Sequence, residues 1–173
     1  KDAQETINGM QVPTTEKLLE SIDWELISTG KAGRFHGDFH FENIIYSKKE
    51  ESFVFLDWRQ DFSGDLEVGD IYYDLAKLMH GLIITHEIIG KNQFWIEWEG
   101  NIIDYDFDRK EKLVECERKF NNWIMNNGYD LKKVRIMTAL IYLNIAALHH
   151  YPYSLLLYSL GKYMLTKEQN EFN

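Results

Sequence analysis

The feature that most constrains this chain is an eight-residue segment, His36-Gly37-Asp38-Phe39-His40-Phe41-Glu42-Asn43, set between apolar stretches. Asp38 and Asn43 stand five positions apart across a turn. Two short apolar runs follow, Ile44 to Tyr46 and Phe53 to Leu56, around the polar Ser47-Lys48-Lys49-Glu50-Glu51-Ser52, and this pattern predicts a small hairpin. The second run ends in Leu56-Asp57-Trp58. Phosphoryl transfer requires a carboxylate to accept the proton of the attacking hydroxyl. It also requires oxygen ligands, one of them a second carboxylate, for Mg²⁺, which prefers hard donors. A loop bearing Asp38 and Asn43, beside a hairpin end bearing Asp57, supplies those groups from a rigid base. Each of the three is also an ordinary cap or turn residue when taken singly. Their joint spacing is what favours chemistry over capping.

The rest of the chain bounds the setting. Its 173 residues fit one domain spanning 1–173. Hydrophobic residues make up 45% and aromatics 14%, enough for a core, which excludes a disordered chain. The lone cysteine, Cys116, excludes an internally disulfide-stapled fold. With 19 Lys and Arg against 28 Asp and Glu, the net charge of −9 argues against general nucleic-acid binding, which needs cations for phosphates. The most apolar stretch, Ile136 to Leu148, holds Thr138 and Asn144 and falls short of the roughly 20 residues of a membrane span. No signal-peptide pattern opens the chain, which fits a cytoplasmic, membrane-free protein.

Apolar spacing and caps predict helices over Glu16–Ile27, Asp70–Ile89, Arg109–Asn127, Leu131–His149 and Tyr153–Leu165. Gln93 to Phe107 predicts a second hairpin turning at Gly100-Asn101. The expected fold class is α+β, mostly helical, with two small hairpins, the first directly after the polar loop.

Three blocks then occur in order: His-Gly-Asp-x-x-x-x-Asn at 36–43, Leu-Asp-Trp at 56–58, and Gly-Asp-x-x-Tyr-Asp-Leu-Ala at 69–76. Together they resemble the aminoglycoside phosphotransferase and choline kinase family, which has the protein-kinase-like fold. The match runs from His36 to about Leu78, and beyond it only the element order agrees. The resemblance implies that Asp38 is the catalytic base, that Asn43 and Asp57 are Mg²⁺ ligands, and that ATP is the phosphoryl donor. It implies that His36 braces the loop, that His40 lies near the terminal phosphate, and that Asp70 and Asp74 support the loop from the next helix. Asp70 is the one expected to hold its backbone. Phe41-Glu42 and Arg59 depart from the commoner residues at their positions. The 35 residues before His36 read as a helix, with no Gly-rich loop. The chain therefore reads as the C-terminal lobe of such a kinase, with an ATP-binding N-terminal lobe expected upstream. Beginning at Lys1 fits that expectation.

Other features carry two readings each. His-x-Asp-x-His invites a Zn²⁺ hydrolase, but that leaves Asn43 and the third block without a role. His80, His86, His149 and His150 read as structural, with His80 and His86 on different helix faces. Trp95, Trp98, Trp123 and Tyr153, with Glu97 and Glu99, make either an aromatic box for a cationic acceptor or plain core and cross-strand packing. Asp104, Asp106 and Asp108 read as a solvated strand face. The function expected is transfer of the γ-phosphate of ATP to a hydroxyl of a sugar, amino alcohol or aminoglycoside. The rival is a binding or scaffold module that kept the kinase lobe without its activity.

Overall fold

The computed structural model describes residues 4–170. Strands β1 (Glu5–Ile7) and β2 (Met10–Val12) pair as an antiparallel hairpin around Asn8-Gly9. Both turn residues have positive φ, 47° and 78°, the twist that a two-residue loop needs and that Asn and Gly tolerate best. Before His36 a helix and a short strand at Arg34-Phe35 were expected, so this hairpin is a correction. Strands of three residues are too short to display alternation, and the Asn-Gly pair is their one local mark.

Helices α1 (Thr15–Glu20) and α2 (Trp24–Ser28) replace the single helix expected over Glu16–Ile27. The Thr14 and Asp23 side chains each accept the N–H three residues on, at 3.3 and 2.9 Å. The forward bond of Asp23 starts a new helix where the first would have continued. Strand β3 (Ala32–Gly33) leads into the polar loop, whose end is a 3-10 turn over Phe41–Asn43. Strands β4 (Ile44–Ser47) and β5 (Ser52–Phe55) form the expected hairpin. Strand β6 (Gly69–Asp70) returns to pair with β3, so both ends of the loop region are tied to the start of the next helix.

Helix α3 (Ile71–Ile83) and the short α4 (His86–Gly90) divide what was expected as one helix over Asp70–Ile89. Ile84 and Thr85 take extended backbone between them. The run Ile83-Ile84-Thr85 is β-branched throughout, which weakens a helix against such a break. Strands β7 (Phe94–Glu99) and β8 (Ile102–Phe107) form the second hairpin, as its alternation predicts. β8 also pairs in parallel with β1, which gives a four-stranded sheet of order β2-β1-β8-β7. Asn8 extends that ladder with its side chain, donating to the Tyr105 carbonyl at 3.1 Å and accepting from the Tyr105 N–H at 2.8 Å.

Helices α5 (Glu111–Asn126), α6 (Leu131–Ala146) and α7 (Tyr153–Asn170) complete the chain. About half of the described residues are helical, which makes the fold α+β with small sheets. The core lies where α3, α6 and α7 meet, with Leu75, Met79, Val134, Tyr142, Leu157 and Leu160 buried together. Each such aliphatic side chain contributes about 1.5–3 kcal/mol by leaving water. A buried ion pair, Lys162 Nζ to Glu5 Oε2 at 2.7 Å, joins α7 to the N-terminal hairpin. This core fixes one face of α3 and leaves the other facing the polar loop. Among the described residues, no helix is long and apolar enough to cross a membrane.

Candidate active site

The loop is held by its backbone. The Asp74 carboxylate, buried in the first turn of α3, accepts the N–H groups of His36 and Gly37 at 2.5 and 2.8 Å. Burial pushes the Asp74 pKa up, and the two N–H donors only partly oppose that rise. Gly37 has φ of +80°, and a Cβ there would lie 2.5 Å from Cβ and Cγ of Arg59, so glycine is required on both counts. Asp70 has another task than the one expected of it. Its Oδ1 caps α3 by accepting from the Tyr72 N–H at 3.0 Å, and it also accepts from the Lys31 N–H at 2.9 Å. The direct hold on the loop comes from Asp74.

His36 is buried and turns its ring into Phe39, Phe55 and Trp58, with centroids 5.6, 6.4 and 4.9 Å away. Its Nδ1 accepts from the Asp38 N–H at 3.3 Å. Among the described residues, no group of three His, Cys, Asp or Glu side chains is placed to hold a metal ion.

Asp38 is half-buried, with Oδ1 2.7 Å from Lys77 Nζ and Oδ2 3.5 Å from His40 Nε2. Burial alone would raise its pKa. The hydrogen bond and charge of Lys77, with the charges of His40 and Arg59, outweigh burial and hold it below the usual carboxylate value. Asn43 is buried and donates Nδ2 to the Asp38 carbonyl at 3.0 Å, with His40 Nε2 at 3.2 Å. This orients the amide and leaves Oδ1 without a partner among the described residues. Asp57 follows β5 in left-handed backbone, φ 53°, a conformation Asp tolerates. Two backbone bonds bracket it, from the Leu56 N–H to the Asn43 carbonyl at 2.8 Å and from the Arg59 N–H to the His36 carbonyl at 2.9 Å. Its carboxylate is exposed and makes no ion pair among the described residues. The fold thus brings Asp38, His40, Asn43 and Asp57 to one loop-and-hairpin junction.

Asn43 Oδ1 and the Asp57 carboxylate are hard oxygen donors left free by the surrounding bonds. Two such groups suit Mg²⁺, which keeps most of its other positions for water and substrate phosphates. The donor set therefore fits the ion that the resemblance implies.

A cavity of about 340 Å³ opens beside Asp38. Its helical wall carries Tyr73, Lys77, His80 and Gly81 from α3, with Ile84 just past its end. These positions repeat at helical spacing, opposite the buried Leu75, Met79 and Leu82. Lys77 was not singled out from the sequence and His80 was expected to be structural, and this stripe is the signal that could have marked both. His86 and His149, expected to be structural, also line the cavity. The break at Ile84-Thr85 turns α4 back, so that His80 and His86 reach the same space. His86 Nδ1 lies 2.5 Å from Glu42 Oε2. Burial lowers the His80 pKa to about 3, helped by the charges of Lys77, His40 and His86.

Trp95, Trp98 and Glu97 are not brought to this cavity. Trp95 and Glu97 lie opposite Asp106 and Asp104 on the exposed face of β7 and β8. Trp98 donates Nε1 to the Gly100 carbonyl at 2.9 Å and borders a separate recess with Leu143 and Tyr151. Trp123 stacks between Phe120 and Tyr129 on α5, and Tyr153 packs on Phe94 and His149. The aromatic side chains are spread over several places and form no box.

The family model described as the phosphotransferase enzyme family matches residues 6–110, from β1 through the loop, both later hairpins and α3. No curated protein matches the chain, and no solved structure does.

Proposed function

Since this chain belongs to the phosphotransferase enzyme family, we propose that residues 1–173 are the catalytic and acceptor-binding lobe of an ATP-dependent small-molecule kinase. The observation that carries this reading is the Asp38 carboxylate. It is held ionised by Lys77 and opens onto a cavity of small-molecule size, on a loop that also carries Asn43 and adjoins the hairpin end that carries Asp57. In this reading, Asp38 orients the acceptor hydroxyl and takes its proton as the phosphoryl group is transferred. Lys77 keeps the carboxylate ionised, and His40 positions both Asp38 and the Asn43 amide. Asn43 and Asp57 would hold Mg²⁺, which offsets charge on a transferred phosphoryl group when bound. Most of the rate enhancement then comes from positioning and fixed charge.

The nucleotide would be completed by an N-terminal lobe upstream. In support, the β4–β5 hairpin leaves Ile45, Tyr46, Phe53 and Val54 exposed on both of its faces, with Phe53 62% accessible. An apolar ribbon of that kind calls for a cover. The acceptor is a small molecule bearing a hydroxyl.

The roles separate experimentally. Asn43→Ala and Asp57→Ala should raise the Mg²⁺ concentration needed for half-maximal Mg·ATP binding, while Asp38→Asn leaves that binding unchanged and removes transfer. Equal effects of all three on Mg·ATP binding would refute the division of labour.

A further inference from the structure

We infer that the acceptor carries an acidic group, a carboxylate or phosphate on a polyol scaffold, and is not an amine. This rests on the reading of the Asp38 cavity as the acceptor site. Lys77 and Arg59 are the lining cations of this cavity, and of its four histidines His80 and His149 are shifted toward the neutral form by desolvation. The carboxylates that line it are both already engaged. Asp38 is paired with Lys77 at 2.7 Å and approached by His40 at 3.5 Å. Glu42 lies 2.5 Å from His86 Nδ1 and 3.8 Å from His40 Nδ1. An ammonium group entering here finds no carboxylate without a partner and faces the guanidinium of Arg59, which is how a site rejects the wrong charge.

Arg59 supplies the attraction for an acid. Its Cβ and Cγ fill the space that a side chain at Gly37 would take, and the residue lines the cavity. Its guanidinium makes no ion pair among the described residues, and a planar fork of N–H donors is suited to carboxylate or phosphate. Burial and nearby cations keep the His80 ring neutral, so it brings no charge to the cavity. The chain's surplus acid lies elsewhere, on the exposed hairpin face of Glu97, Asp104 and Asp106.

Three six-carbon polyols that differ at one end test this: gluconate, sorbitol and glucamine. Their binding to the full-length protein is measured by calorimetry at pH 7.5, with and without Mg²⁺ and a non-hydrolysable ATP analogue. Gluconate should bind about tenfold tighter than sorbitol, the worth of one charge-assisted hydrogen bond, and glucamine weakest. Arg59→Gln should erase the preference and Arg59→Lys restore part of it, with circular dichroism unchanged in both. The analogue should leave gluconate affinity intact, because acceptor and nucleotide bind together. Competition by the analogue would assign Arg59 to nucleotide phosphate and overturn the inference. Equal affinities, no gluconate binding, or a preference for glucamine would overturn it too. Phosphotransfer would still stand in those cases if Asp38→Asn abolished turnover. Failure of phosphotransfer with Arg59-dependent gluconate binding intact would remove only the reaction.

Discussion

Lys77 Nζ lies 2.7 Å from Asp38 Oδ1, and the two residues come from different elements, the loop after β3 and the middle of α3. The core face of α3 is what holds Lys77 in place for this contact. The pairing makes Asp38 a carboxylate that stays ionised well into acid, in spite of its partial burial.

Lys77→Met should therefore move the acid limb of the kcat/KM profile to higher pH. Without the lysine, burial dominates and raises the Asp38 pKa. The sign for stability is the same. The depressed pKa contributes stability above the ordinary carboxylate value of 3.8, and this is lost as pH falls through the lowered one. The variant should also lose that contribution. An acid limb that does not move would detach Lys77 from Asp38.

Asp74→Asn should destabilise the protein by about 1–3 kcal/mol. An amide offers one acceptor oxygen where the carboxylate used two, so one buried N–H of His36 or Gly37 is left unmet. Urea unfolding checks this. A loss under about 0.5 kcal/mol, the level of an ordinary surface change, would mean that the two bonds are dispensable.

Gly37→Ala should cost about 2 kcal/mol or more. Left-handed backbone alone costs about 1–2 kcal/mol for a residue with a side chain, and the added methyl meets Arg59 at 2.5 Å. Gly100→Ala is the control, since it has φ of +63° but nothing within 4 Å, and should show the backbone cost alone. Equal losses would remove the steric argument.

His80 makes stability fall with acid. Its folded pKa is depressed to about 3 from an ordinary 6.5, so the unfolded chain binds a proton below 6.5 that the folded one refuses. Stability should decline from pH 6.5 downward and level off near 3. Between pH 7 and 5, His80→Phe should lose about 1–2 kcal/mol less than the parent, at 1.36 kcal/mol per pH unit. Parallel pH dependence of parent and variant would refute the assignment.

How much of this could be read from the chain depended on range. Asp38, Asn43 and Asp57 were legible because eight residues and one hairpin place them, and short hairpins are local structures. The β7–β8 alternation and its Gly100 turn were legible for the same reason. The β1–β2 hairpin was not, because Ile7 pairs with a parallel partner nearly a hundred residues away and Val12 is buried in a strand that packs toward α7. The helix breaks at Ser21–Asp23 and Ile84-Thr85 depend on side-chain caps and β-branched residues competing with apolar spacing that continues through them. His86 and His149 reach the cavity only through the turn-back of α4 and the end of α6, which no local pattern encodes. Lys77 is intermediate, since its stripe with Tyr73, Gly81 and Ile84 is readable once one face of α3 is known to be core.

The most direct test is acceptor-dependent ADP release by the full-length protein with Mg·ATP, comparing the parent with Asp38→Asn over sugars, sugar acids, amino alcohols and aminoglycosides. The account predicts release with at least one acceptor, a fall of about 10²-fold or more in Asp38→Asn, as for loss of a general base, and a variant that still unfolds cooperatively, with a midpoint lowered only by the loss of the Lys77 pair. Acceptor-dependent release that persists undiminished in Asp38→Asn would contradict it.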